Sequence, residues 1–252
     1  MDFISRNIYD GKMMSEDIRR YALGCRLIDA AEEGDMSRCK ELVLKYNVPV
    51  NFKSDFGETP LIAAALKGNV EIGRFFLENG ARVDDTNLAG FTAFIYSLLE
   101  EKMEFASMLL ENGYDINIKT QIRDINEFVL GEATPLYVMA KYLVEDSLVW
   151  LLDHGAKCNI KCINGETAIF PALRCCSVKM VQALIDKGAS VLIRNAYGET
   201  PLNVLEKIVN DTRFSPNTRS AYREIMIIIK DAEYMEMKRN ISKIAEQIIR
   251  KK

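Results

Sequence analysis

The chain has 252 residues, 48% of them hydrophobic, which is ample for a buried core and argues against disorder of the whole chain. Its formal net charge of -3 provides no global attraction to nucleic acid or to an anionic membrane, so a dedicated DNA-binding role is not expected. Six cysteines in a chain this large, without a secretion signal, point to reduced thiols in a cytosol rather than to a disulfide scaffold.

The opening segment MDFISRNIYDGKMMSEDIRR interrupts every apolar run with charge, so it offers neither the apolar stretch of a signal peptide nor a transit peptide. Residues 1–21 read as an N-terminal extension or helix. No stretch anywhere approaches the roughly 18 consecutive apolar residues of a membrane span. The segment LIDAAEEGDMSRCKELV from Leu27 then reads as a first, degenerate helix pair.

From Gly57 a helix start, GETPLIAA, begins a pattern that recurs as GFTAFIYS from Gly90, GEATPLYVMA from Gly131, GETAIFPA from Gly165 and GETPLNVL from Gly198. Thr59 and Thr92 lie 33 residues apart, as do Thr134 and Thr167, and Thr167 and Thr200; Thr92 to Thr134 is 42, an insertion of nine. Gly80, Gly113, Gly155 and Gly188 keep the same beat with the same interruption. A fixed period of this size is the mark of a repeat architecture.

Each copy predicts the same local structure. Threonine before proline gives a hydroxyl cap and a first helical residue whose fixed φ suits the helix, so an inner helix is expected from Pro60 to about Leu66. Lys67-Gly68-Asn69 turns the chain. A second helix then runs through Phe75-Phe76-Leu77 to Gly80, a residue suited to the position just past a helix end. The segments GARVD from Gly80, GYDIN from Gly113, GAKCN from Gly155 and GASVL from Gly188 lead outward to the next turn.

This combination resembles the ankyrin repeat, over about residues 25–230. The resemblance implies an all-α solenoid of about six stacked helix-turn-helix repeats with finger turns, at about 22–54, 55–87, 88–120, 130–162, 163–195 and 196–232. The first repeat is degenerate, as suits a terminal cap, and residues 233–252 form a basic helical tail that caps the C-terminal end. The histidine that follows TPL in the family is replaced by Ile62, Ile95, Tyr137, Phe170 and Asn203, so apolar packing is expected to take over its role of tying turns together. Cys176 stands where the family has the glycine of the inter-helix turn.

Three irregularities interrupt the repeat. The nine-residue excess lies within 120–131 and carries Ile122, Ile125, Phe128, Val129 and Leu130, which reads either as a tolerated insertion or as a contact loop. Residues 210–221 separate the two helices of the last repeat, with Pro216 enforcing the break. In the tail, Ile241, Ile244, Ile248 and Ile249 fall at helical spacing, and Lys238, Arg239, Lys243, Arg250, Lys251 and Lys252 outnumber Glu236 and Glu246. The simplest expectation is that the isoleucines cover the end of the stack while the basic face is solvated; an amphipathic surface helix is the alternative.

No catalytic constellation emerges. The single histidine, His154, precedes Gly155 at a helix end, where it suits the exposed carbonyls, and no second histidine exists for a triad. Cys158, Cys162, Cys175 and Cys176 resemble a thiolate set, but Cys158 occupies a buried valine position of the repeat. Neither GxxxxGK[ST] nor GxGxxG occurs. No catalytic residue, cofactor or metal is therefore assigned.

The resemblance implies a surface for binding. The variable finger and inner-helix positions are Lys53, Asp55, Phe56, Glu58, Leu66 and Lys67, then Leu88, Phe91, Leu99 and Glu100, with Ile122 and Phe128 in the insertion. Ile163, Glu166 and Arg174 follow in the fifth repeat, and Arg194, Tyr197, Glu199 and Lys207 in the sixth. Apolar anchors among charges are what interface hot spots look like. The expected function is a monomeric, non-enzymatic, cytoplasmic module that holds a partner protein on the concave face as an adaptor, an inhibitor or a host-directed effector, possible in host cytoplasm or nucleus. The alternatives are membrane-surface or nucleic-acid attachment through the tail, and an enzyme accessory or cryptic enzyme.

Overall fold

A computed structural model describes residues 16–123, 129–210 and 216–249. They fall into two compact units, Met1–Tyr114 and Asp115–Lys252.

The first unit is built from helix pairs. Helix α1 (Glu16–Glu33) is followed by α2 (Met36–Lys40), which runs into one π-turn at Glu41–Lys45; α3 (Pro60–Lys67) pairs with α4 (Val70–Glu78), and α5 (Ala93–Leu99) with α6 (Met103–Glu111). Side chains set the starts. The Asp35 carboxylate accepts from the Arg38 N–H at 2.9 Å, the Thr59 hydroxyl from Ile62 N–H at 3.2 Å and the Thr92 hydroxyl from Ile95 N–H at 3.2 Å, each satisfying a donor the helix leaves orphaned. Gly68, at φ 77°, ends α3 with its N–H turned back to Ala64 and Ala65 carbonyls, a left-handed position where a side chain is penalised.

The inner helices α1, α3 and α5 lie side by side. Ala30, Ala31, Ala64 and Ala65 are wholly buried there, so the helices approach closely, while Phe76, Phe94 and Phe105 fill the core. Burying a side chain of that size contributes roughly 1.5–3 kcal/mol. One such pair has a partner for only one side of its apolar surface, which is why the pairs must stack.

In the second unit, strands β1 (Thr120–Arg123) and β2 (Val129–Ala133) form an antiparallel ribbon with Thr120 opposite Ala133 and Ile122 opposite Gly131. The insertion thus includes a two-stranded ribbon; its Ile125 and Phe128 lie outside the described residues. Then come α7 (Pro135–Tyr142) with α8 (Glu145–Asp153), α9 (Ile169–Arg174) with α10 (Val178–Asp186), and α11 (Pro201–Val209) with α12 (Pro216–Ile249). Thr134 caps α7 through Tyr137 N–H at 3.3 Å, and Thr200 and Asn203 make a reciprocal capping box on α11. Thr167 differs: α9 starts at Ile169, without a side-chain cap, and the buried Thr167 hydroxyl has no hydrogen-bond partner. In that copy the proline sits at Pro171, two positions inside the helix, rather than directly after the threonine.

At the positions that replace the family's histidine, Ile62, Ile95, Tyr137 and Phe170 are buried. Polar ties nonetheless persist, carried by asparagines. In the first unit Asn51 donates to the Gly80 carbonyl at 2.9 Å and accepts from Arg82 N–H at 2.8 Å. In the second, Asn159 does the same to Gly188 and Ser190, and Asn117 accepts from Lys157 N–H at 2.8 Å. The inter-helix turns hold one geometry whatever residue occupies them. Glu101, Leu143 and Cys176 all adopt φ of 54–60°, so the Cys176 turn keeps the left-handed form of Gly68.

The C-terminal end departs from expectation. Helix α12 is continuous across residues 232 and 233, so the last repeat and the tail share one element. Tyr222, Ile225 and Ile229 are buried, but Ile241 and Ile244 are 68% and 56% exposed. Ile241 lies twelve positions beyond Ile229, which at 3.6 residues per turn carries it about 120° around the helix. The isoleucine stripe therefore points away from the packed face instead of covering the stack. Lys238, Arg239 and Lys243 are exposed; Arg250, Lys251 and Lys252 and the N-terminal residues 1–15 lie outside the described residues, as do the side chains of Ile248 and Ile249.

Candidate functional site

In the first unit the finger after α2 and the finger after α4 are joined backbone to backbone: Leu88 N–H donates to the Phe56 carbonyl at 2.9 Å. The two side chains that flank this bond point outward, Phe56 75% exposed and Leu88 44%. Rigid backbone below and apolar surface above is the arrangement that lets a partner be held without ordering a loop. Lys53 braces the same fingers, reaching Asp85 at 3.1 Å and the Thr86 carbonyl at 3.2 Å. Asp55 and Glu100 are exposed, Leu66 and Leu99 half-buried, and Lys67 is paired with Glu32 at 3.1 Å.

Phe91 is not the exposed anchor expected at its finger. It is 9% exposed and packs edge-on against Tyr96, ring centroids 5.6 Å apart, because its own N–H is drawn inward to the Asn87 side chain at 3.0 Å. Asn87 in turn donates to Glu58 at 2.8 Å and to the Tyr96 hydroxyl at 2.9 Å. Burial pushes the Glu58 carboxyl above its ordinary range, partly opposed by hydrogen bonds from Asn87 and Tyr96.

In the second unit an open groove of about 800 Å³ lies among inner helices and fingers, with Tyr137, Glu166, Arg174, Tyr197, Lys207 and Ile208 among its lining. At its base Glu166 is buried. It takes both guanidinium nitrogens of Arg174 and the Tyr137 hydroxyl at 3.1 Å. A bidentate, hydrogen-bonded pair of this kind satisfies a carboxylate that could not otherwise stay buried and charged. Tyr197, 70% exposed, belongs to the same lining. Beside it Arg194 donates to the Gly198 carbonyl at 2.6 Å, and Glu199 is held by Asn195 at 3.0 Å and by Lys207.

Two further expected contact residues are internal. Ile163 is 9% exposed and Ile122 1%. Ile163 sits close over Gly131, and Ile122 is the inward member of an alternating strand. Glu166, too, is structural in its contacts rather than presented to solvent. Sequence spacing located these fingers but not which side of each faces in.

The histidine and three of the cysteines make contacts with nearby backbone and side chains. His154 donates from Nδ1 to the Trp150 carbonyl, 2.8 Å away, and stacks on the Trp150 ring at 3.8 Å, a helix-end role. Cys158 lies against the Lys187 carbonyl and Cys175 against that of Lys141, while Cys162 faces Thr134. Burial raises the thiol pKa of all three, the opposite of an activated thiolate. Among the described residues no group of three or more His, Cys, Asp or Glu is placed to hold a metal, and no helix is long and apolar enough to cross a membrane.

A family model of ankyrin repeats in three copies matches residues 27–120, and one of ankyrin repeats in many copies matches residues 140–185, together more than half of the chain. Alpha-latrotoxin-Lg1a of Latrodectus geometricus is 27% identical over 184 residues, which are 73% of this chain and 13% of the toxin. BTB/POZ domain-containing protein 3 of Schizosaccharomyces pombe is 36% identical over 90 residues, 36% of this chain and 16% of that one. The chain therefore spans less than a fifth of the length of either relative. Among solved structures, a chain from a complex of a predatory endopeptidase of Bdellovibrio bacteriovorus with an immunity protein matches with a TM-score of 0.61 and 28% identity, over 79% of this chain and 96% of that chain.

Proposed function

Because the chain belongs to the ankyrin repeat family, whose repeats are protein–protein interaction modules, we propose that it binds a partner protein through its finger and inner-helix positions and performs no catalysis of its own. The observation that carries this reading is the pair Phe56 and Leu88, apolar side chains standing in water on two fingers whose backbones are bonded to each other. Apolar and aromatic anchors of that kind, ringed by charge, are where binding energy concentrates. Tyr197, in the groove lined also by Arg174 and Lys207, gives the second unit an anchor of its own. Six free cysteines suit action in a reducing cytoplasm. The matched structure comes from a complex of a peptidase with an immunity protein, which supports a role in binding another protein.

The test is affinity capture from lysate with the whole chain, comparing wild type with a Phe56→Ala/Leu88→Ala variant and a Tyr197→Ala variant. Loss of one specific partner at unchanged thermal stability supports the reading; capture unchanged in both variants rejects it.

A further inference from the structure

Helix α12 carries an unused surface with a regular period. Ile227, Tyr234, Met237, Ile241 and Ile244 are all exposed, and the intervals from Tyr234 onward are three, four and three residues, continued in the sequence by Ile248 four residues later. Ile227 stands seven residues before Tyr234, with Lys230 at the position between. Alternating steps of three and four define the a and d positions of a coiled coil. Here a is Ile227, Tyr234, Ile241 and Ile248, and d is Lys230, Met237 and Ile244.

The seam is free to be used. Tyr222, Ile225 and Ile229 face the second unit and are buried, with the Tyr222 hydroxyl donating to the Arg174 carbonyl at 3.1 Å. Glu236 pins the middle of the helix by accepting from the Ser190 hydroxyl at 2.6 Å and Val191 N–H at 3.0 Å. The a and d positions lie on another side of the helix, and every residue from 237 to 247 is exposed. One face anchors α12 to its own chain while another is presented outward.

We infer that this seam is a self-association surface, on which α12 pairs in parallel with α12 of a second copy of the chain. Charge selects the occupant and the direction. In a parallel pair the residue before each a position faces the residue after the next d position of the other helix, which sets Glu233 against Lys238 of the partner copy, twice by symmetry. In an antiparallel pair with Ile241 against Met237, Lys238 would meet its own copy, a like-charge contact that opposes that register. The stripe is also only as wide as a coiled-coil seam, narrower than the apolar face of a helix that lies on lipid, and residues 235–252 contain no Trp, Phe or Leu to bury in a bilayer surface. Basic Lys238, Arg239 and Lys243 are then solvated flanks. A monomer, the expectation from sequence, leaves this seam in water.

Sedimentation of the full chain over a concentration series measures the outcome. Wild type is expected to double its mass as concentration rises; Ile241→Glu is expected to stay monomeric with unchanged far-ultraviolet circular dichroism and melting, since its side chain contacts solvent. Glu233→Lys and Lys238→Glu should each weaken the dimer, and an equimolar mixture of the two should restore it, because each mutant chain then faces its complement. Wild type that remains monomeric at every concentration overturns the inference. So does a dimer that Ile241→Glu leaves intact. Binding of monomeric wild type to phosphatidylserine vesicles, abolished by Ile241→Glu, would overturn it in favour of a lipid surface.

Discussion

The Leu88 N–H and the Phe56 carbonyl, 2.9 Å apart, tie two fingers together beneath the Phe56 ring, the most exposed aromatic side chain among the described residues of the first unit. Gly57 makes the approach possible. It sits at φ 74°, and a Cβ there would come within 2.9 Å of the Leu88 nitrogen, a backbone atom that cannot swing aside.

Gly57→Ala is therefore expected to combine backbone strain with a backbone clash, a loss of about 1–3 kcal/mol. If the fingers present Phe56 and Leu88 to a partner, the same substitution lowers capture even below the melting temperature, where the chain is still folded. Equilibrium denaturation and capture on one preparation separate the two effects.

Glu58 gives a pH signature of opposite sign to an ordinary ion-paired carboxylate. Burial raises its folded-state pKa, so between the unfolded value and that raised value the folded state holds more protons than the unfolded chain, and stability falls as pH rises through that window. Glu58→Gln keeps the oxygen that accepts from Asn87 and removes the charge. The variant is expected to be more stable than wild type at neutral pH and to converge with it below the unfolded carboxylate range near pH 4–4.5; melting curves from pH 3.5 to 7.5 show whether the two lines meet.

Leu143, at φ 60° and 49% exposed, occupies the turn position that Gly68 fills in the first unit. A side chain in that conformation costs roughly 1–2 kcal/mol, of which glycine's greater freedom in the unfolded chain returns up to about half. Leu143→Gly is expected to stabilise by up to about 1 kcal/mol, or roughly 2–4 °C in melting temperature. A lower melting temperature would mean that the exposed leucine packs more than its accessibility implies.

What was readable from sequence follows the range of the interactions involved. The caps at Thr59, Thr92, Thr134 and Thr200 are bonds to residues three positions away, so the local motif announces them. Cys176 is a poor choice for the left-handed turn that the family fills with glycine, and the fold imposes that conformation on it at φ 57°. Phe91, Ile122 and Ile163 misled because their burial depends on contacts that no periodic pattern encodes, such as Ile163 over Gly131. Tyr137 shows the same limit: its link to Glu166 spans 29 residues, and its only sequence signal is a phenol where other copies carry Ile, Phe or Asn. The three-four spacing in α12 is present in the sequence, but Lys230 interrupts its apolar series, and only the exposure of Ile227, Tyr234 and Met237 separates this face from the packed one.

The five threonines that mark the period are not equivalent, and one substitution made at two of them tests why. At Thr59 the hydroxyl accepts from Ile62 N–H, and Thr59→Val, which keeps the branched shape but loses the acceptor, is expected to cost about 1 kcal/mol, within the range of roughly 0.5–2 for lost caps. At Thr167 the hydroxyl is buried and unpartnered, because Phe170 N–H turns to the Thr167 carbonyl instead and α9 begins later. Burying a hydroxyl without a bond is unfavourable, and replacing it with a methyl of similar shape removes that cost. Thr167→Val is therefore expected to leave stability unchanged or raise it. Two denaturation curves decide the matter: equal losses at both sites would mean that Thr167 caps its helix after all, through a partner seen only in solution.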